Sequence, residues 1–143
     1  MTATTSDRRR NWRRVVAGGA LWALVYNILW GIAWFAFMRS EWEQAAAASH
    51  RPMPWTAEVW FLWAVLTAPL GVTITAYAAG RKPLLYRAAV SSSAAMWLLL
   101  TVAMGAYSLS QSLSPRVIAL DSLVNVVAVL AAALASAWSQ RDA

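Results

Sequence analysis

VVAGGALWALVYNILWGIAWFAFM, residues Val15–Met38, runs for 24 residues without a charged side chain. About 20 mostly apolar residues in a helix cross roughly 30 Å of hydrocarbon. The stretch therefore reads as a transmembrane helix. It has a basic flank, and Ala45–Ala48 offers small residues for cleavage, but a signal core is only about 7–15 residues long. Arg9-Arg10 ahead of Asn11-Trp12 gives only a faint twin-arginine pattern. A retained anchor is the expectation.

Three further windows follow the same rule: Trp55–Ala79 with Glu58 near its start, Ala88–Ser110 with no charge, and Val117–Trp138 with Asp121. A lone strand cannot satisfy its backbone in lipid, so each window must be a helix. A barrel would need many alternating ten-residue segments, and these runs are continuous. The expected fold class is all-α: an integral membrane protein with four transmembrane helices in an up-down bundle. Residues 1–143 form one domain, with a basic tail at 1–14 and an outer connection at 39–54. Crossing angles near 20° are expected.

Composition agrees. The chain is 60% hydrophobic and 13% charged, against about 45–50% and 25% for soluble domains. It is also far from the disordered class. The absence of Cys excludes disulfides, a Cys-zinc site, an iron–sulfur cluster and a thiol nucleophile.

The boundaries are marked. Pro52 and Pro54 close the first connection, and Thr56 is a candidate N-cap. Gly80-Arg81-Lys82-Pro83 breaks the chain after a helix. Ser114-Pro115 reads as N-cap and first helical residue. Within Arg39–Pro54, Ser40 and Glu43 have capping-box spacing ahead of four Ala. That segment is either a short surface helix or an extension of the first span. No internal repeat is evident, inverted or otherwise.

Nine of the twelve basic residues fall on one side of the four spans, in the tail, the middle connection and the C-terminus. The positive-inside rule then puts both termini in the cytoplasm. The net charge of +6 is thus a topology signal, not a nucleic-acid footprint. Arg8, Arg9, Arg10, Arg13 and Arg14 are in addition candidates for contact with anionic headgroups.

Small residues at helical spacing predict the inward faces. They are Ala23, Asn27 and Gly31, with Ala20 nearby; Ala64, Ala68, Gly71, Thr75 and Ala78; Ala94, Leu98, Thr101, Gly105 and Ser108; and Asp121, Asn125, Ala128, Ala132 and Ser136. Pro69 removes the bond to the Val65 carbonyl and should kink its helix, with Thr67 or a neighbouring helix helping to satisfy the freed group. Pro69 and Gly71 together are a candidate hinge. Eight of the ten Trp precede Ala64. Trp12 and Trp138 are read as inner belt anchors, and Trp34, Trp42, Trp55 and Trp60 as outer ones. Trp22, Trp30, Trp63 and Trp97 lie deeper and need partners for their N–H groups. This Trp-rich first hairpin is expected to face lipid or a partner, and the Ala-rich fourth span to be enclosed.

An ionisable residue inside a membrane is a functional candidate by default. Asp121 is the one interior carboxylate, roughly 9 Å along its helix from Pro115. Asn125 follows one turn later, and Asn27 and Tyr26 complete the candidate polar site. A proton or cation site is one reading; a carboxylate tied to Arg116, a Ser or a Tyr is the other. His50 with Glu41, Glu43 and Glu58 matches no metal template, so no metal is predicted, nor any cofactor. Ser91–Ser93 should pack closely and bond back to helix carbonyls. No P-loop, dinucleotide fingerprint, nucleophile elbow or zinc-protease motif occurs, which leans against an enzyme.

The leading expectation is a small bacterial inner-membrane protein acting as a structural or accessory subunit. Its partners would be the lipid bilayer and a homo-oligomer or larger membrane complex. The alternative is a small proton- or cation-coupled transporter or channel subunit using Asp121. A lipid-modifying enzyme ranks third.

Overall fold

The computed structural model describes residues 11–50, 52, 55–81, 84–110 and 114–141, with the side chains of 108–110 left aside. Arg8, Arg9, Arg10, Pro54, Lys82 and Pro83, all weighed above, lie outside the described residues, as does the side chain of Ser108. Every regular element among them is helical: α1 (Trp12–Ala33), a π-helical turn (Trp34–Met38), α2 (Arg39–Ala48), α3 (Ala57–Ala79), α4 (Leu85–Ser110) and α5 (Pro115–Gln140). Four helical stretches are long and apolar enough to cross a membrane.

α3 and α5 start at the predicted caps: Thr56 Oγ1 accepts from the Val59 amide and Ser114 Oγ from Arg116, with Pro115 first in α5. α1 starts three residues before the expected Val15, at Trp12, where Asn11 Oδ1 accepts from the Arg14 amide. The Ser40–Glu43 capping box does not form. Ser40 Oγ donates instead to the Phe37 carbonyl at 2.9 Å, and Glu43 pairs with Arg39 at 2.7 Å. The chain at Met38 is helical, so the first span runs on unbroken from Trp12 to Ala48. That is 37 residues, or about 55 Å at 1.5 Å per residue.

α1 packs against α3 and α5, α5 against α4, and α3 more thinly against α4. Pairings run in opposite senses between neighbours. Gly19 meets Gly71 and Val72, while Trp30 meets Trp60. Gln140 Nε2 donates to the Arg14 carbonyl at one end of α1, and Arg116 reaches Glu41 of α2 at the other. α1 and α4 stand on opposite corners, bridged by the Trp22 indole, which donates to Ser93 Oγ at 3.3 Å.

Small residues set the closest crossings, but not all of those predicted. A Cβ on Gly19 would sit 2.5 Å from the Val72 backbone, and one on Gly71 would strike the Gly19 carbonyl. Gly31, expected inside, has open space around it, and Ala20, Ala64 and Ala68 are exposed. On α4 the buried face is Leu85, Ala88, Ala89 and Ser93; Leu98 is exposed, and Ala94, Thr101 and Gly105 are only half-buried. The α5 face holds: Asp121, Ala128, Ala132 and Ser136 are buried and Asn125 half-buried, although Leu123, Val127 and Leu134 look outward.

The main correction concerns tryptophan. Trp22, Tyr26, Trp30, Trp34, Met38 and Trp42 recur every four residues, and all six are buried. Each step of four overshoots a 3.6-residue turn by roughly 40°, so in a straight α-helix such a row would wrap about the axis. The wider π-helical turn falls between Trp34 and Met38 and takes up part of the drift. Trp34 and Trp42 are therefore not belt anchors. With Trp30, Trp55 and Trp60 they make a cluster of indoles, Trp30 on Trp60 at 4.7 Å and Trp42 on Trp55 at 5.9 Å between centroids. The first span turns its aromatic face inward and its Leu24, Ile28, Ile32 and Phe35 face outward. Trp12 and Trp138 are exposed, as belt residues would be.

Candidate functional site

Tyr26 and Asn27 are neighbours in α1 and so point about 100° apart. Tyr26 reaches α5, where its hydroxyl donates to Asn125 Oδ1. Asn27 reaches α3, donating to Thr67 Oγ1 at 2.8 Å and to the Ala23 carbonyl at 2.7 Å. Thr67 in turn donates to the Ala64 carbonyl rather than to Val65. The structure thus brings Tyr26, Asn125 and Asp121 together and assigns Asn27 to a separate α1–α3 contact.

Asn125 and Asp121 are one turn apart on α5. Asn125 Nδ2 donates to the Asp121 carbonyl at 2.8 Å and to its Oδ2 at 3.0 Å. With Tyr26 donating from the other side, both ends of the Asn125 amide are used and its orientation is set. Asp121 is 9% exposed, and its Oδ1 is buried without a hydrogen-bond partner. Arg116, the basic residue nearest in sequence, does not serve it. Its guanidinium is bonded to Glu41 at 2.7 Å.

Beside Asp121 is a cavity of about 20 Å³, walled by Trp30, Trp55, Trp63 and Trp97, with Thr101 and Asn125 also on its lining. Trp97 Nε1 donates to the Ser122 carbonyl at 3.0 Å. The Trp55 and Trp63 N–H groups are buried and unpartnered, as is that of Trp42 outside the cavity. A buried donor without a partner costs about 1–3 kcal/mol. Two such donors, those of Trp55 and Trp63, belong to residues that line the same cavity as Asp121.

Other candidates resolve differently. Gly71 is in backbone contact with Gly19, and Pro69 is exposed while Thr73 Oγ1 donates to its carbonyl at 2.9 Å. Thr75 and Ser136 share a hydrogen bond of 2.6 Å in the bundle centre and are fully satisfied. Ser91 and Ser92 bond back to the Ala88 carbonyl. Arg13 and Arg14 are exposed at the start of α1. His50 lies in the turn just beyond α2 with φ 52°, and no group of His, Asp or Glu among the described residues is arranged to hold a metal. Of the Trp walls, Trp30, Trp63 and Trp97 are expected from the sequence to lie deep, whereas Trp55 reads there as a belt anchor; the four-residue spacing from Trp22 to Trp42 is a signal for the inward aromatic face of the first span. No family model, curated protein or solved structure matches the chain.

Proposed function

We propose that this is a small multi-pass protein of the bacterial inner membrane, both termini cytoplasmic, in which Asp121 is a proton- or cation-binding centre. The role that fits is a small coupled transporter or a channel subunit. One observation carries the reading: the Asp121 carboxyl is buried between helices with an unpartnered oxygen, in a residue that lines a cavity, while the nearby Arg116 is engaged elsewhere. A buried carboxylate without a counter-charge is strongly unfavourable, so the group must take up a proton or a cation. In a membrane such residues mark ion pathways. Tyr26 and Asn125 would orient the carboxyl.

The test is flux through liposomes holding the purified chain. Asp121→Asn should abolish proton- or cation-driven flux and leave the fold intact. Full flux in that variant would overturn the proposal.

A second reading, the structural or accessory subunit, is supported by α4. Its Leu98, Leu99 and Val102 are exposed along one face, available to lipid or to another helix. Mass measurement in native nanodiscs should then find a dimer or a larger complex; free monomer alone would count against it.

A further inference from the structure

A second opening in the surface shares no residue with the Asp121 cavity. It is an open groove of about 400 Å³ along α4, lined by Ser91, Ser92, Ala95, Met96 and Leu99 and bounded by Tyr77 of α3. From Ser91 to Leu99 it follows α4 for about 12 Å. It begins near the end of the bundle where α3 stops at Ala79 and α4 starts at Leu85, and runs towards the middle of α4. Its floor asks for no hydrogen bond. Ser91 Oγ donates to the Ala88 carbonyl at 3.2 Å, and Ser92 Oγ to the carbonyls of Ala88 at 2.8 Å and Ala89 at 3.1 Å. Met96 is the adaptable side chain of the lining. Ser91, Ala95 and Leu99 are exposed, so in a bilayer the groove is open to lipid and its lining suits a hydrocarbon chain.

The end of the groove at the helix termini is cationic. Arg81 follows Tyr77 by one turn, and its Cζ lies 3.5 Å from the centre of the Tyr77 ring. That contact, with a bond from Arg81 Nη1 to the Tyr77 carbonyl at 3.4 Å, holds the guanidinium beside the residue that bounds the groove. Arg87 is exposed one turn before Ser91, on the same face of α4. The ion pairs among the described residues, Arg39–Glu43 and Arg116–Glu41, lie at the other end of the bundle. Neither Arg81 nor Arg87 therefore has a carboxylate partner among these residues. A second copy docked here in the same orientation would bring its own Arg81 and Arg87 to the same level, setting like charges against each other. An anionic phospholipid matches both parts of the groove. Guanidinium forks pair with phosphate oxygens, and basic pockets between membrane helices take such headgroups. We propose that the α3–α4 groove binds one anionic phospholipid, its phosphate on Arg81 and Arg87 and one acyl chain along Ser91, Ala95 and Leu99. The site is independent of the reading of Asp121 and requires only that the chain span a bilayer.

The test is native mass spectrometry of the full chain in micelles, titrated with phosphatidylglycerol or with phosphatidylcholine of the same acyl chains. One phosphatidylglycerol should bind first, and more tightly than phosphatidylcholine. A basic residue near an anionic surface is worth about fivefold in affinity. Arg81→Gln and Arg87→Gln should each cost about that factor, and the double variant should erase the preference. Ala95→Phe keeps both charges and fills the groove, so it should weaken the binding of both lipids. Arg39→Gln, at the other end of the bundle, should change nothing. All four positions are exposed, and an unchanged unfolding midpoint confirms that each variant is folded. A phosphatidylglycerol preference that survives the double Arg variant would overturn the proposal. Binding undiminished in Ala95→Phe would mean general surface attraction and would overturn it too. A dimer that Ala95→Phe splits would assign the groove to a second copy instead. Flux dependent on Asp121 is a separate readout, and its loss or presence leaves each of these outcomes as it stands.

Discussion

Tyr26 shows how much of the site depends on single atoms. Its hydroxyl is the donor to Asn125 Oδ1, and Asn125 in turn donates to Asp121. Tyr26→Phe keeps the ring stacked on Trp22 at 5.3 Å and leaves a buried amide oxygen unpaired. The expected cost is about 1 kcal/mol, the usual range for a hydrogen bond between membrane helices. It is read as a lower unfolding midpoint in mixed micelles. Tyr86→Phe at an exposed position of α4 should change stability by less than about 0.5 kcal/mol. The pairing of Arg116 with Glu41 is largely solvent-exposed on the Arg side. It matters less for stability than for what it withholds, a counter-charge to Asp121.

Two glycines of α1 separate packing from propensity at the scale of the helix. Gly19→Ala puts a methyl 2.5 Å from the Val72 backbone, which cannot turn aside as a side chain would. Overpacking of this kind costs about 1–3 kcal/mol. Gly31→Ala meets nothing within 4 Å and should be neutral or stabilising, by up to about 1 kcal/mol of helix propensity. Opposite signs in one unfolding assay are the expected outcome. The π-helical turn makes its own prediction. Inserting one Ala after the exposed Ala36 rotates everything beyond by about 100°, takes Trp42 out of the indole cluster and weakens the near-ultraviolet dichroism of the aromatic side chains. Deleting Ala36 closes the turn to an ordinary α-helix, places Trp42 seven residues after Trp34, and should preserve that signal.

At the scale of the whole molecule, the lack of Cys makes orientation directly measurable. His50→Cys, beyond α2, should react with an impermeant maleimide in intact bacteria, and Arg141→Cys only after lysis; the reverse pattern would invert the proposed topology. The four helical stretches, their caps at Thr56 and Ser114, and the inward face of α5 were legible in the sequence, because apolar length and capping are local properties. The α1 face was not. Near Asp121 the sequence offered Arg116 as a partner about one and a half helical turns away, yet that residue turns to Glu41, which is 75 positions distant. Likewise Gly31 and Gly19 are alike in sequence, and only the approach of α3 makes one of them indispensable. What the sequence determined by itself was the number, length and polarity of the helices, because those follow from the cost of unpaired backbone and charge in lipid. What the tertiary structure decided was which faces meet. It alone enclosed the Trp residues around Asp121 and left one carboxylate oxygen with nothing to bond, because hydrogen bonds and close packing between helices depend on neighbours far apart in the chain.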